Sequence, residues 1–89
     1  MWQSDSVKFS VLVEVQLRPG IADPQGQTIE RALPALGYGG VSGVRVGKNI
    51  RFELDATDAA AAEQEVADMC VRFLSNPVIE DVTVTVSAQ

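Results

Sequence analysis

The chain has 89 residues, of which 46% are hydrophobic but only 6% aromatic, enough for one small aliphatic core and no second domain. A net charge of −5, with seven basic residues scattered singly, excludes the clustered Lys and Arg that phosphate backbones and anionic membranes require. With no histidine, a single cysteine and no acidic cluster at metal-ligand spacing, the usual nucleophile–base pairs, internal disulfides and metal sites are missing too.

Residues 3–6 are polar, and residues 1–6 are expected to be a frayed start, with residues 7–89 forming the domain. The first residues carry neither the positive charge nor the apolar run of a signal peptide. No stretch approaches the roughly 20 apolar residues of a membrane span, so the sequence reads as cytoplasmic. A domain this short buries only roughly 60–65% of its unfolded surface, which makes pairing with another copy or partner the default expectation.

From Val7 the pattern alternates strictly. Val7, Phe9, Val11, Val13, Val15 and Leu17 share one face, and Lys8, Ser10, Glu14 and Gln16 share the other, with Leu12 the apolar exception. A period of two over this length predicts a long strand with one buried face. Arg18-Pro19-Gly20 ends it, since proline cannot donate to a ladder and glycine opens a turn.

Asp23-Pro24 predicts a helix start: the carboxylate accepts from free backbone N–H groups and proline is pre-set for the first position. Ile29, Ala32, Leu33 and Leu36 follow at helical spacing. Pro34 forces a kink or a stop near Leu33, and Gly37 supplies the cap.

Residues 41–47 read as a short strand interrupted by Gly43, turning at Gly47-Lys48 into a second strand over 49–55. Thr57 or Asp58 then caps a helix with the stripe Ala59, Ala62, Val66, Met69, Cys70, Phe73 and Leu74. Asn76-Pro77 stops it. Val82, Val84 and Val86 alternate with Thr83 and Thr85 in a last strand. The expected fold is therefore α+β in the order β-α-β-β-α-β. It is a ferredoxin-like two-layer sandwich with a four-stranded sheet and both helices on one face.

Little chemistry stands out. Cys70 lies in an apolar stripe and, without an activating base, reads as core. Gly37-Tyr38-Gly39-Gly40 follows a helix and precedes a strand, the reverse of a phosphate loop. Capping explains Asp23, and solvation explains Glu80-Asp81. Arg45 and Lys48 flank a turn and read equally as an anion-binding spot or a solvated tip.

The corner segments Asp23-Pro24-Gln25-Gly26, Val44-Arg45-Val46-Gly47-Lys48 and Asn76-Pro77-Val78-Ile79-Glu80-Asp81, with Met69-Cys70 between them, resemble the PurS family. PurS is the small subunit of multi-chain phosphoribosylformylglycinamidine (FGAM) synthase. The likeness runs from about Val7 to Val86 and carries several motifs in register.

The resemblance implies a non-catalytic subunit of an ATP-dependent C–N ligase in purine biosynthesis. Such a subunit docks a glutaminase, PurQ, to a synthetase, PurL, and supports ammonia transfer between them. It implies a homodimer able to associate to a tetramer, with no cofactor on this chain and ATP and magnesium on the synthetase. The candidate subunit-interface residues are Asp23, Pro24, Gln25, Gly26, Arg45, Gly47, Lys48, Asn76, Pro77 and Glu80. No catalytic or metal-binding residue is assigned. A stand-alone ferredoxin-like sensor dimer binding a small effector is the rival from another class. A small enzyme with a carboxylate base ranks last, because no convergent polar set appears.

Overall fold

A computed structural model describes residues 6–89. The frayed start expected over 1–6 lies outside the described residues except for Ser6, which is half-buried. Strand β1, Val7–Leu17, is the centre of a three-stranded antiparallel sheet of order β2-β1-β3, with β2 at Lys48–Ala56 and β3 at Glu80–Ala88. Both ladders run without a bulge, aligning Val13 with Ile50 on one side and Val84 on the other.

The alternation in β1 is spent as expected in the middle of the strand, while at its ends Val7 is 41% exposed and Leu17 half-buried. Phe9, Val11, Val13 and Val15 are 4% exposed or less. Full burial of side chains this size contributes roughly 1.5–3 kcal/mol each. Helix α2, Ala59–Met69, covers this face, with Asp58 rather than Thr57 as its cap: the Asp58 carboxylate accepts from the Ala61 N–H at 2.8 Å. Ala62, Val66 and Cys70 are its buried stripe. Burial pushes the Cys70 thiol pKa up, as befits a packed side chain. A π-helical turn at Cys70–Leu74 ends the helix, and it leaves Phe73, expected on the core stripe, 87% exposed.

Two further expectations fail. There is no strand over 41–47 and hence no hairpin at Gly47-Lys48, so the described residues form three strands, not four. The segment is extended, but its N–H groups go to side chains instead of a ladder: Val44 donates to Glu30 and Val46 to Asp23. The first helix, α1 at Pro24–Ala32, also does not join α2 on the sheet; its packing partner is the short 3₁₀ turn at Pro34–Leu36. Pro34 opens that turn, and Gly37 ends it in the left-handed conformation (φ 98°).

Residues 18–47 thus form an arm projecting beyond one end of the sheet. The radius of gyration is 17.7 Å and the longest dimension 59 Å, against roughly 12 Å for the radius of a compact domain of this length. The accessible surface is 6271 Å², where a 9.5 kDa monomer ordinarily exposes roughly 5,000 Å².

Candidate functional site

The three corner segments lie far apart in sequence, yet the structure joins them where the arm meets the sheet. Arg18, at the end of β1, is the joint. Its backbone N–H donates to the Ile79 carbonyl at 2.8 Å, and its Nη2 donates to the Pro77 carbonyl at 2.6 Å. Its Nε lies 3.3 Å from the Asp81 carboxylate. The Arg18 carbonyl in turn accepts from Arg45 Nη2 at 3.2 Å, while Arg45 Nη1 donates to the Ile21 carbonyl at 2.9 Å. Two planar guanidinium forks, each presenting several donors in fixed directions, therefore tie the loop after β1 to both other segments.

Among the described residues Asp23 is the one buried charged side chain, 4% exposed. One carboxylate oxygen accepts from the Gly26 N–H at 2.9 Å, the cap expected from the sequence. The other accepts from the Val46 N–H at 2.7 Å, across 23 residues. The Val46 bond foremost, then that from Gly26, holds the Asp23 carboxyl below its ordinary pKa, with Arg45 adding a smaller push. Capping was legible; the clasp on the returning segment was not.

The glycines at this junction are needed for close approach. A Cβ on Gly26 would run into the Val44 carbonyl oxygen, so the helix start and the extended segment lie together only because no side chain stands between them. At Gly47 a Cβ would lie 2.8 Å from the Val15 carbonyl, where the chain turns into β2. Pro24 occupies the first helical position and its carbonyl accepts from Thr28 Oγ1 at 2.9 Å; Gln25 beside it is exposed.

The third corner closes on itself. The Asn76 side chain accepts from the Val78 N–H at 3.1 Å, and the Asn76 N–H donates to the Glu80 carboxylate at 2.7 Å. Glu80 N–H returns a bond to the Asn76 carbonyl at 2.8 Å. Glu80 is thus engaged within its turn, whereas simple solvation was expected. Pro77 follows Asn76 and contributes its carbonyl to Arg18.

A groove of about 870 Å³ runs along this junction, with Glu14, Gln16, Arg45, Lys48, Asn49 and Asp81 among its lining residues. Opposite charges face it in near balance, so it has no strong preference for an anion. Of the two readings of Arg45 and Lys48, the anion spot loses the Arg45 fork, which is already spent on backbone carbonyls. Among the described residues, no three or more His, Cys, Asp or Glu side chains are grouped to hold a metal ion. What the arrangement does is fasten an arm to a sheet and present turns at a corner. Arg18, which fastens it, was read from the sequence only as a strand end; an arginine before Pro-Gly, with donors to spare at a turn, was the available signal.

A family model described as PurS, phosphoribosylformylglycinamidine (FGAM) synthase, matches residues 10–88. Phosphoribosylformylglycinamidine synthase subunit PurS from Synechocystis sp. is 41% identical over 85 residues, covering 96% of this chain and 85% of its own. The crystal structure of the phosphoribosylformylglycinamidine synthase purS subunit from Thermotoga maritima superposes with a TM-score of 0.81 at 34% identity, over 91% of this chain and 93% of that one. A chain in the structure of PurLQS from Thermotoga maritima gives the same TM-score at 35% identity, over 89% and 96%. The chain belongs to the PurS family of FGAM synthase.

Proposed function

We propose that this chain is the non-catalytic bridging subunit of FGAM synthase. In that complex a glutaminase, PurQ, releases ammonia, and a synthetase, PurL, uses it with ATP. The products of formylglycinamide ribonucleotide, glutamine and ATP are formylglycinamidine ribonucleotide, glutamate, ADP and phosphate. The observation that carries the reading is the match, over nearly the whole chain, to a component of the Thermotoga maritima PurLQS structure. ATP and magnesium belong, on this reading, to the synthetase.

The shape supports a bridge. An arm with Ile29, Leu36, Tyr38 and Val41 exposed by 42–70% presents apolar surface that its own chain does not cover. Its base carries the ten candidate interface residues or their immediate neighbours, so we assign the arm and the corner at Asn76-Pro77 to contacts with the other subunits. The excess of exposed surface supports association with a second copy as well, as a homodimer that can assemble to a tetramer. No feature of the groove favours the small-molecule sensor.

Co-purification tests the bridge. Tagged chain mixed with the glutaminase and synthetase, with glutamine and magnesium-ADP present, is expected to retain both; retention of neither sinks the reading. Arg45→Ala is expected to lower glutamine-dependent turnover several-fold while sparing turnover with added ammonia, because only the former needs transfer between subunits. Equal losses with both nitrogen sources would remove the bridging role from this corner.

A further inference from the structure

The arm and the Asn76-Pro77 corner, the two surfaces assigned above to other subunits, meet at one residue. Within the arm the polar links are internal. Asp23 holds the Gly26 and Val46 N–H groups, Glu30 holds that of Val44, and Arg45 Nη1 holds the Ile21 carbonyl. Helix α1 packs on the Pro34–Leu36 turn rather than on the sheet. Residues 19–46 are therefore a unit closed on itself, not a flap laid against the body.

Among the described residues, the hydrogen bonds that cross from this unit to the rest of the chain all end on the Arg18 carbonyl. It accepts from the Ile21 N–H at 3.1 Å and from Arg45 Nη2 at 3.2 Å. Both lie at the long end of the usual range, and Arg18 is exposed, so water competes for them. The chain leaves the sheet through Pro19-Gly20 and returns through Gly47. Gly20 is left-handed (φ 87°), with open space where a side chain would stand. A closed unit on two short crossings and one weak latch has two arrangements, latched and released, in the manner of a hinged domain.

The other side of Arg18 is held by the corner. Its N–H donates to the Ile79 carbonyl, its Nη2 to the Pro77 carbonyl, and its Nε pairs with Asp81. Asn76 and Glu80 close that turn from both ends, so it moves as one piece. Shifting the turn shifts Arg18, and with it the carbonyl that latches the arm.

We infer that Arg18 couples the two docking surfaces: a subunit seated on the Asn76-Pro77 corner biases the arm toward its latched orientation, and a subunit holding the arm tightens the corner. Reciprocity is required, since a coupling free energy has one value whichever site is filled first. The latched and released arm is the two-state element that both sites bias. Arg18 is thus a positioning residue, acting through the Pro77 and Ile79 carbonyls on one side and through its own on the other. The inference rests on the bridging reading above and adds regulation to it.

Amide exchange in the isolated full chain tests the relay without any partner. The Ile21 N–H reports the latch directly, the Val44 and Val46 N–H groups report the inside of the arm, and Val13 reports the sheet. N76A/E80A loosens the turn without touching Arg18. It is expected to speed exchange at Ile21 by about 3-fold or more, with Val44, Val46 and Val13 unchanged. R18K keeps the carbonyl but loses the fork on Pro77 and Asp81. In that background N76A/E80A is expected to add nothing at Ile21. Equal effects in both backgrounds, no effect at Ile21 in either, or equal acceleration at Val13 would each overturn the inference.

With glutaminase and synthetase present, each is expected to bind at least about 5-fold tighter once the other is saturating. R18K is expected to remove that gain while each partner alone still binds with unchanged affinity. A gain that survives in R18K, or none in the wild type, would overturn the coupling. Binding of neither partner would sink the bridging reading instead, and the exchange cycle would still decide whether Arg18 links corner to arm.

Discussion

The sheet with α2 and the arm with α1 are held together by different forces. In the sheet body, Phe9, Val11, Val13, Val15, Ala62, Val66 and Cys70 are nearly inaccessible, and their burial is the source of stability. In the arm only Asp23 and Gly26 are buried. It keeps its shape through directional bonds: the Asp23 clasp on Val46, the Glu30 bond to Val44 and the Arg45 fork on two carbonyls. Net hydrogen bonds contribute only about 1 kcal/mol each. A segment held that way is ordered without being stable by itself, which suits a piece that completes its core on a partner.

The largest effect should come from placing a charge in the body. Val66→Asp leaves an unpaired carboxylate in the core, at a cost of several kcal/mol. Total stability for 89 residues is roughly 4–13 kcal/mol, so the cooperative melt followed by circular dichroism is expected to vanish or fall sharply. Ile29→Asp, on the exposed face of α1, is expected to shift the same melt by no more than about 0.5 kcal/mol equivalent. Comparable losses from both would mean that the arm is packed into the body after all.

Next in size are changes that detach the arm. Gly26→Ala requires backbone to move away from the Val44 carbonyl, and Asp23→Ala removes both clasp bonds. Either is expected to speed amide exchange at Val46 and in the first turn of α1 by 10-fold or more, with Val13 and Val66 amides nearly unchanged. Faster exchange spreading through the sheet as well would show that the two regions melt as one.

Acid separates them as well. The folded Asp23 carboxyl titrates below its unfolded value. Its contribution is therefore complete above the unfolded pKa of about 3.9 and lost as pH falls through the lower folded value. Arm amides are expected to lose protection in that range before the sheet amides do; Asp23→Asn should abolish this pH dependence, as read by exchange between pH 5 and 2.5.

Smaller still is Arg18→Lys, which keeps the charge but loses the fork reaching Pro77 and Asp81; about 1 kcal/mol is expected in a denaturant titration. Smallest is Lys8→Ala. Its pairs with Glu53 and Asp55, at 3.8 and 3.9 Å, are exposed, and the change is expected to stay below about 0.5 kcal/mol. A larger loss at Lys8 than at Arg18 would place the critical joint at the wrong end of the sheet.

Much of the body was legible beforehand. The alternation of Val7 to Leu17 fixes a strand with one buried face whatever its neighbours are, and Asp23-Pro24, Asp58 and Asn76-Pro77 act on the backbone within a few residues. Residues 41–47 misled because apolar alternation around Gly43 is compatible with a strand but does not supply a partner. Glu30 and Asp23 took the N–H groups that a ladder would have used. Phe73 misled because helical spacing assumes 3.6 residues per turn, and the π turn at Cys70–Leu74 breaks that period.

The candidate site divides along the same line. Its residues could be picked from three short motifs, since each corner has a local reason to exist. That these corners meet, and that Arg18 holds them together, depends on where strands of distant sequence end. The amino-acid sequence by itself determined the local elements, the buried face of β1 and the family, because periodicity, caps and motifs are properties of neighbouring residues. Only the tertiary structure decided that α1 leaves the sheet, that the described residues form three strands and that Asp23 clasps Val46. Those outcomes turn on competition for backbone partners between segments that are far apart along the chain.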